Sequence, residues 1–417
     1  MIDLAKKLYP IHRSITGKGV VKSLKIIKKN ISKLKIKSFN SGAKVFDWVV
    51  PPEWNIQDAF IAKLNGEKII DFKKNNLHIV NYSSPVKKII SKTELLKHLH
   101  SIPKKKNTIP YITSYYKKYW GFCLSESDKK LLKDEKFIVK INSNFDNKGK
   151  LHYGELLIKG KSKKEILIHT YICHPRLANN EISGPTVTTY LANYFSKKKN
   201  NFSIRFLFLP ETIGTIAYLN KNYKYLKENT IGGYVITCVG DERNYSFLES
   251  KKNDSLSNKV ARDIFKKNKI KYKNYSFLHR GSDERQYNSP GIDLPIASIM
   301  RTKYGVYPEY HTSDDNFKVV TKKGLTDSFR LIKDIIEKFD KEIIPISTFK
   351  CEPFLSKRKL YPTISTGKIA KSNRQLLDFL MYSDGNNRIS DIEKKIKINK
   401  KEAKKIYEIL KKNKLIY

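Results

Sequence analysis

Five consecutive segments decide the fold: EILIHTYI (165–172), GPTVTTYLANYFSKK (184–198), SIRFLFLP (203–210), TIGTIAYLNKNYKYL (212–226) and IGGYVITCVG (231–240). The first, third and fifth are short apolar runs typical of buried strands, and the second and fourth have the length and spacing of helices. Strands and helices in alternation predict an α/β sheet with helices on both faces. In such sheets the functional side chains usually lie at the carboxyl ends of the strands.

The regions around this core predict two further domains. Residues 1–45, which begin with an amphipathic helical pattern, and residues 156–345 are assigned to the α/β domain. From residue 46 to about 155 the chain contains short strand-like runs, among them LHIVNYS (77–83) and KLHYGELLIKG (150–160), separated by Pro, Asn-Gly and Asp-Asn turns. These runs predict an inserted, mainly β domain over residues 46–155. Residues 347–368 resemble an irregular linker, and residues 355–417 contain three helix-like segments in the order of a winged helix-turn-helix domain.

The composition indicates a globular and strongly basic protein. Its 417 residues have a formal net charge of +43, and the 40% hydrophobic content excludes a chain that is disordered throughout. Most cations are Lys and accompany many Asn and Ile, which indicates codon bias in an A/T-rich genome more than an Arg-based nucleic-acid surface. The four cysteines are far apart and no apolar run reaches about 18 residues, so we expect a cytoplasmic protein without a membrane partner.

The predicted winged helix has two candidate partners. Six of its lysines could contact DNA phosphates: Lys400, Lys401, Lys404, Lys405, Lys411 and Lys412. The same excess of Lys runs through the whole chain, and the presumed recognition helix lacks Arg or a clear Asn or Gln pair for reading bases. We therefore favour docking of another protein, with DNA as the alternative.

Four polar side chains stand out at the ends of predicted elements of the α/β domain: His174 in HTYICHPRLANNEISG, Glu211 in FLFLPETIG, Asp283 in SDERQYNSPGIDLP and His311 in YGVYPEYHTSDDN. Imidazole and carboxylate groups can bind Zn²⁺ or act as a general base. Taken alone, each histidine has the alternative of a structural turn residue, and Glu211 that of a helix N-cap carboxylate. Their occurrence together favours a functional site.

These motifs, in this order, resemble those of the M28 zinc aminopeptidases. CHP followed by NNEISG is similar to the first metal histidine and the Asp-containing turn of that class, PETIG to its Glu-Glu segment, and EYHTSDDN to its last metal histidine. The closer resemblance is to bacterial aminopeptidase-like proteins of the DUF4910 and DUF2172 type, often labelled polysaccharide-biosynthesis proteins, through LYPIHRSITG, PETIGTIAYL and RGSDERQYNSPGIDLP. The resemblance covers nearly the whole chain and implies an M28-type sheet with an inserted β domain, which would frame the site, and a C-terminal winged helix.

The resemblance implies a metal site with some ligands replaced. His174 and His311 match the two terminal metal histidines. Family carboxylates are replaced at three positions: Asn180 for the bridging Asp, Thr212 for the second Glu and the segment 237–240 for a further Asp. We therefore expect one zinc ion rather than two, held by the histidines and one oxygen donor. Glu181 is the first candidate for that oxygen, followed by Asn180 and then Asp241.

The resemblance also implies the catalytic groups. Glu211 matches the general base that takes a proton from water and returns it to the leaving amine, and Asp283 would orient a ligand or the substrate amine. Arg280, Arg285 and Tyr310 are candidates for substrate binding, the two arginines for a carboxylate or phosphate. Surface ion pairs with Asp283 or Glu284 are the alternative for both arginines.

Three hypotheses follow for the function. The first is a zinc-dependent aminopeptidase or amidohydrolase that cleaves an amide bond in a small peptide-like or amino-sugar-like substrate, with surface-polysaccharide metabolism as the family context. The second is a catalytically degenerate fold that binds a ligand, because carboxylates are missing at Asn180, Thr212 and Thr237. The third is a regulator that senses a ligand and binds DNA or protein through the winged helix. A homo-oligomer is compatible with all three.

Overall fold

The structure is a computed structural model that describes residues 1–362 and 370–417. The last part of the predicted linker, residues 363–368, lies outside this description. The strands are β1 (Lys35–Asn40), β2 (Lys44–Val45), β3 (Trp48–Val49), β4 (Glu53–Ala62), β5 (Lys68–Asp71), β6 (Val86–Ser91), β7 (Leu99–His100), β8 (Phe122–Cys123), β9 (Lys136–Asp146), β10 (Lys150–Ile158), β11 (Ser162–Tyr171), β12 (Phe202–Leu209), β13 (Thr230–Ile236), β14 (Ser246–Leu248), β15 (Lys273–Tyr275) and β16 (Ile296–Met300). The helices are α1 (Ile2–Leu8), α2 (Lys18–Asn30), α3 (Lys92–Leu96), α4 (Glu126–Lys129), α5 (Ser183–Ser196), α6 (Ile213–Asn229), α7 (Leu256–Lys267), α8 (Glu284–Tyr287), α9 (Lys322–Asp340), α10 (Lys371–Met381), α11 (Ile389–Lys395) and α12 (Lys400–Lys412).

A mixed eight-stranded sheet forms the core, in the order β1-β10-β12-β11-β13-β16-β14-β15. The four middle strands, from β12 to β16, are parallel to one another. Successive residues of β11 point to opposite faces: Ile166 and Ile168 pack with α5, α7 and α9, and Leu167 packs with α6. Burial on both faces explains why these strands are nearly continuous apolar runs. The predicted α/β class, with helices on both faces of the sheet, is confirmed.

The inserted region forms a second, smaller sheet. Its strands are antiparallel in the order β5-β4-β9-β6 and enclose a separate core that includes Ile61, Phe137 and Val139. The predicted strand in LHIVNYS (77–83) does not form, because this segment takes one 3₁₀ turn and then makes only isolated bridges. Strand β10, from the run KLHYGELLIKG, pairs with β12 in the main sheet.

The C-terminal helices α10, α11 and α12 pack around their own apolar core, as expected for a winged helix. The chain at Ile346 and Ser347 pairs with Asp384 and Ile416, which ties the entry of this domain to its last residues. Arg388 connects it to the α/β domain through an ion pair with Asp263. None of the helices in the described part of the chain is long and apolar enough to cross a membrane.

Candidate metal and catalytic site

Two neighbouring parallel strands deliver the first pair of site residues. Strand β11 ends at Tyr171, shortly before His174, and β12 ends at Leu209, shortly before Glu211. Because the strands are parallel and adjacent, their carboxyl ends lie side by side. The His174 Nε2 atom is 3.4 Å from a carboxylate oxygen of Glu211. The structure therefore brings together two residues that are 37 positions apart in the sequence.

His311 joins this pair from the loop that precedes α9. Its ring centroid is 5.6 Å from that of His174, close enough for one ion to contact a nitrogen of each ring. Tyr310 stacks on His311 with centroids 3.9 Å apart, so its ring supports the imidazole. Burial, together with the charge of His174, lowers the pKa of His311 to about 3. The imidazole is therefore neutral near pH 7, which is the form that binds metals.

Glu181 contacts the ring nitrogen of His174 that does not face Glu211. It comes from a single turn of π-helix (Ala178–Ile182) that leads into α5, and its side chain is fully buried. One carboxylate oxygen is 2.8 Å from His174 Nδ1, and the other accepts the backbone N–H of Cys173 at 2.5 Å. Burial opposes protonation of His174, but its contacts with Cys173 and Glu181 raise its pKa well above the usual value. The ligand atoms of Cys173, His174 and Glu181 all lie within 4.8 Å of one another.

Asn180 and Asp241, the other candidate oxygen donors, have different surroundings. The Asn180 Nδ2 group donates to the Tyr171 hydroxyl at 2.7 Å. Asp241 is occupied by structural contacts, because it accepts Asn179 Nδ2 at 3.0 Å and the Thr302 hydroxyl at 2.8 Å. Of the two, Asn180 has a side-chain oxygen without a hydrogen-bond partner in the described part of the chain.

The donor set fits a metal ion. Asn180 Oδ1 and His311 Nε2 are both buried and have no hydrogen-bond partner among the described residues. Buried polar atoms are rarely left without a partner, so each of these two atoms is a candidate metal ligand. Imidazole nitrogen is a common zinc ligand, whereas an amide oxygen is a weaker donor than the carboxylates that zinc usually binds. With His174 these two atoms would give three protein ligands.

Glu211 has the properties of a general base. Burial raises its pKa to about 7, Asp283 adds to the shift and His174 opposes it. The Ser282 hydroxyl donates to Oε1 at 2.5 Å, while Oε2 faces His174. A base with a pKa near the working pH can both accept and return a proton.

Asp283 lies behind the site rather than in it. Its side chain is fully buried, and its oxygens are 2.8 Å from the Thr212 backbone N–H and 2.9 Å from His169 Nε2. Thr212 adopts a left-handed conformation with φ of 63°, which is strained for a β-branched residue. The Tyr287 hydroxyl lies 2.9 Å from the second nitrogen of His169. Asp283 thus holds the turn that carries Glu211.

The two candidate arginines lie on the surface. Arg285 donates to the Thr212 hydroxyl at 2.9 Å. Arg280 lies over the ring of Phe277, 5.0 Å from its centroid. Glu284 is buried and accepts hydrogen bonds from the Ser298 and Tyr304 hydroxyls and from two backbone N–H groups. Because Arg285 contacts Thr212, the residue next to Glu211, it is better placed than Arg280 to reach a ligand.

A pocket of about 240 Å³ opens at this site. His174 and Glu211 lie at its polar side, and Trp48, Tyr115 and Tyr116 of the inserted region form much of its wall. The inserted region therefore frames a small pocket with aromatic walls.

Three supporting residues escaped the sequence analysis. Arg13, from LYPIHRSITG, is buried and donates to the His174 carbonyl at 3.0 Å. Asp315, from HTSDDN, accepts the N–H groups of Asn179 and Asn180 at 2.6 and 2.9 Å. Both residues lie inside motifs that carry the family resemblance, which is the sequence feature that could have indicated them. Only the folded chain shows what their side chains contact. Ser282, next to Asp283, likewise became visible through its contact with Glu211.

Comparisons with known proteins show the family of the chain. The family described as a domain of unknown function (DUF4910) matches residues 2–342, and a winged helix-turn-helix family matches residues 344–417. A protein of Clostridium acetobutylicum named "Putative polysaccharide biosynthesis protein with aminopeptidase-like domain" is 43% identical over 396 residues, which cover 94% of this chain and 89% of that protein.

Solved structures show the same fold. A crystal structure described as a "putative peptidase" from Clostridium acetobutylicum is 41% identical, with a TM-score of 0.81 and coverage of 100% of this chain and 95% of the other. A zinc aminopeptidase from Bacillus subtilis is 13% identical, with a TM-score of 0.60 and coverage of 82% and 95%. An M28 peptidase precursor from Shewanella amazonensis, at 11% identity, has a TM-score of 0.58 and coverage of 82% and 93%. The chain belongs to the DUF4910 family of aminopeptidase-like proteins, with an M28-type fold and a C-terminal winged helix.

Proposed function

We propose that this protein is a zinc-dependent aminopeptidase-like hydrolase that cleaves an amide bond in a small amino-containing substrate. The observation that carries the proposal is the contact between Glu211, with its pKa of about 7, and His174 at the mouth of a small pocket. The zinc aminopeptidase from Bacillus subtilis supports the choice of metal and reaction by its fold.

His174 and His311 would hold the ion, with Asn180 as the oxygen donor. Glu181, the first oxygen candidate from the sequence, would fix His174 through its Nδ1 atom, as carboxylates commonly do behind metal-binding histidines. When bound, zinc supplies Lewis-acid polarisation of the scissile carbonyl.

The remaining chemistry is done by side chains of the chain itself. Glu211 Oε2 takes a proton from the attacking water and returns it to the leaving amine, while the Ser282 hydroxyl holds Oε1 in place. Asp283 keeps the turn at Thr212 in position. The aromatic walls of the pocket exclude water from the reacting groups.

The part of the substrate that enters this pocket is small and peptide-like or amino-sugar-like, because a pocket of about 240 Å³ encloses only one small group. The name of the relative from Clostridium acetobutylicum suggests surface-polysaccharide metabolism as the context. We place the reaction in the cytoplasm, where the four unpaired cysteines stay reduced.

The winged helix is proposed to dock another protein. Lysines 400, 401, 404 and 405 of α12 are exposed, so the same surface is open to DNA as the alternative partner. Salt-sensitive binding of DNA duplexes by the full chain would favour DNA.

An activity screen tests the hydrolase proposal. Zinc-loaded protein is assayed with dipeptides, aminoacyl anilides and N-acetylated amino sugars. For any compound that is cleaved, Glu211→Gln should lower kcat by about 100- to 10,000-fold without changing the zinc content. The matched control Glu228→Gln, at an exposed position of α6, should retain full activity. Equal activity of wild type and Glu211→Gln would contradict the proposed base.

The second candidate function is ligand binding without catalysis. It is favoured by Thr212 and Thr237, which stand at family carboxylate positions and use their hydroxyls in contacts with Arg285 and Asn180. This candidate predicts binding of zinc or an amine with no cleavage of any compound in the screen.

A further inference from the structure

The hairpin formed by β2 and β3 exposes an unusual concentration of large apolar side chains. Phe46 is 52% exposed, Trp48 42% and Val49 44%, and the neighbouring Tyr116 is 53% exposed. Single exposed apolar residues are ordinary, but a contiguous patch of this kind commonly marks a binding surface.

This hairpin forms one wall of a groove of about 550 Å³. The groove is also lined by Ile216, Leu219 and Tyr223 of α6 and by Ile292. Trp48 lines both this groove and the catalytic pocket. The groove and the pocket are therefore neighbouring cavities that share this side chain.

One face of α6 runs through both cavities. Ile213 lines the catalytic pocket, and Ile216, Leu219 and Tyr223 follow at spacings of three and four residues, which places them on the same side of the helix. From Ile213 to Tyr223 the helix rises about 15 Å. A ligand with its reacting group at Glu211 could extend over that length.

The tip of the hairpin is held in a strained conformation over the groove. Phe46 has a φ of 53°, an outlier for a bulky residue, and its N–H donates to Asn220 at 3.1 Å. Its ring contacts that of Tyr223 edge to face, with centroids 6.1 Å apart. Strain of this kind is often found where a ligand is clamped.

The lining of the groove contains few groups that could bind a charged ligand. Asp47 is the one charged side chain among the described residues that line it, and Gln286 and Ser289 are polar. There is no Lys or Arg among those lining residues to bind a carboxylate or phosphate, although the chain as a whole carries a net charge of +43. The lining suits an uncharged hydrocarbon chain.

We propose that this groove binds an extended apolar arm of the substrate, attached to the amide that reacts at Glu211. The inference rests on the proposed function and narrows its substrate class to amides that carry a hydrocarbon arm of up to about 15 Å. The shared Trp48 and the shared face of α6 place the groove beside the catalytic pocket, which favours this occupant over a protein partner.

Binding of glycine n-alkylamides with butyl, hexyl and decyl chains tests the inference. Calorimetry is performed on full-length Glu211→Gln protein, in which hydrolysis is blocked. Kd should fall by roughly two- to fourfold per added methylene, the range expected for burial of a CH₂ group. Phe46→Ala and Tyr223→Ala should weaken decylamide binding at least tenfold and butylamide binding less than twofold. The control Phe354→Ala, at a 68% exposed position of the C-terminal region, should change neither.

Several results would overturn the inference. One is a Kd that does not depend on the length of the alkyl chain. Another is a Phe46→Ala variant that loses the same affinity for the butylamide as for the decylamide. A self-association that disappears in Phe46→Ala, without any effect on decylamide binding, would assign the groove to a second copy of the chain. Failure of wild type to cleave any amide would defeat the proposed function but leave this binding result standing, so the two failures are distinguishable.

Discussion

Two buried groups of charged side chains lie at opposite ends of the same parallel strands, and they are built differently. At the amino end, Arg205 of β12 donates to both oxygens of Glu165 at 2.8 and 2.9 Å and also pairs with Glu155. Tyr218 donates to Glu155 at 2.6 Å, which closes the network. We call this set of residues the Arg205 network.

The group at the carboxyl end is open. Asn180 and His311 have buried polar atoms without a partner among the described residues, and the pKa of Glu211 is raised to about 7, mainly by burial. The backbone at Thr212 and His311 is left-handed. Buried charged groups that stabilise a fold are paired with each other, whereas the groups of a functional site retain polar atoms that can still bind a ligand.

The largest effect is expected for Arg205→Ala, which breaks the closed group. Glu165, whose side chain is fully buried, would lose its counterion, and Glu155 would keep only its ion pair with Lys37, so the free energy of unfolding should fall by about 3–5 kcal/mol. Urea denaturation measures this loss. Lys159→Ala, an exposed cation at the end of β10, should change stability by less than about 0.5 kcal/mol. A loss below about 1 kcal/mol for Arg205→Ala would contradict the structural role of the network.

A smaller effect on stability is expected for Asp283→Asn, at the back of the open group. The buried contacts to Thr212 and His169 would be weakened, which should cost about 1–3 kcal/mol. Because the charge of Asp283 raises the pKa of Glu211, its removal should also move the acidic limb of the rate–pH profile to lower pH. A limb that moves to higher pH would show that Asp283 acts on Glu211 in another way.

The smallest effect is a gain in stability in Glu211→Gln. The folded-state pKa of Glu211, about 7, lies above the ordinary value of 4.5, so ionisation of the buried carboxyl destabilises the fold increasingly as pH rises between these values. Gln removes this cost, so the variant should be more stable than wild type at pH 8 and equal to it near pH 4. Denaturation at both pH values checks this. A stability loss at pH 8 would place Glu211 among the structural charges instead.

The fold could be predicted because its signals are local. Strands such as β12 are apolar throughout, since both faces are buried, and α5 and α6 follow them with helical spacing. The segment 77–83 was predicted wrongly as a strand. Its apolar residues are buried by side-chain packing in the inserted region, but its backbone makes only a 3₁₀ turn and isolated bridges.

The candidate site was predictable only in part. His174 and Glu211 could be placed together because both follow parallel strands, and the family resemblance implied that His311, already a candidate from its motif, is a metal ligand. The direction of the Glu181 side chain, the burial of Asp283 and the contact of Arg13 with His174 depend on packing between distant parts of the chain. No local pattern carries that information.

The zinc content of the purified full-length protein tests the central claim most directly. We predict about one zinc ion per chain in wild type and in the control His279→Ala, whose imidazole is exposed, and loss of that ion in both His174→Ala and His311→Ala. Wild-type protein that contains no zinc and takes up none on addition, or histidine variants that keep the ion, would contradict the account.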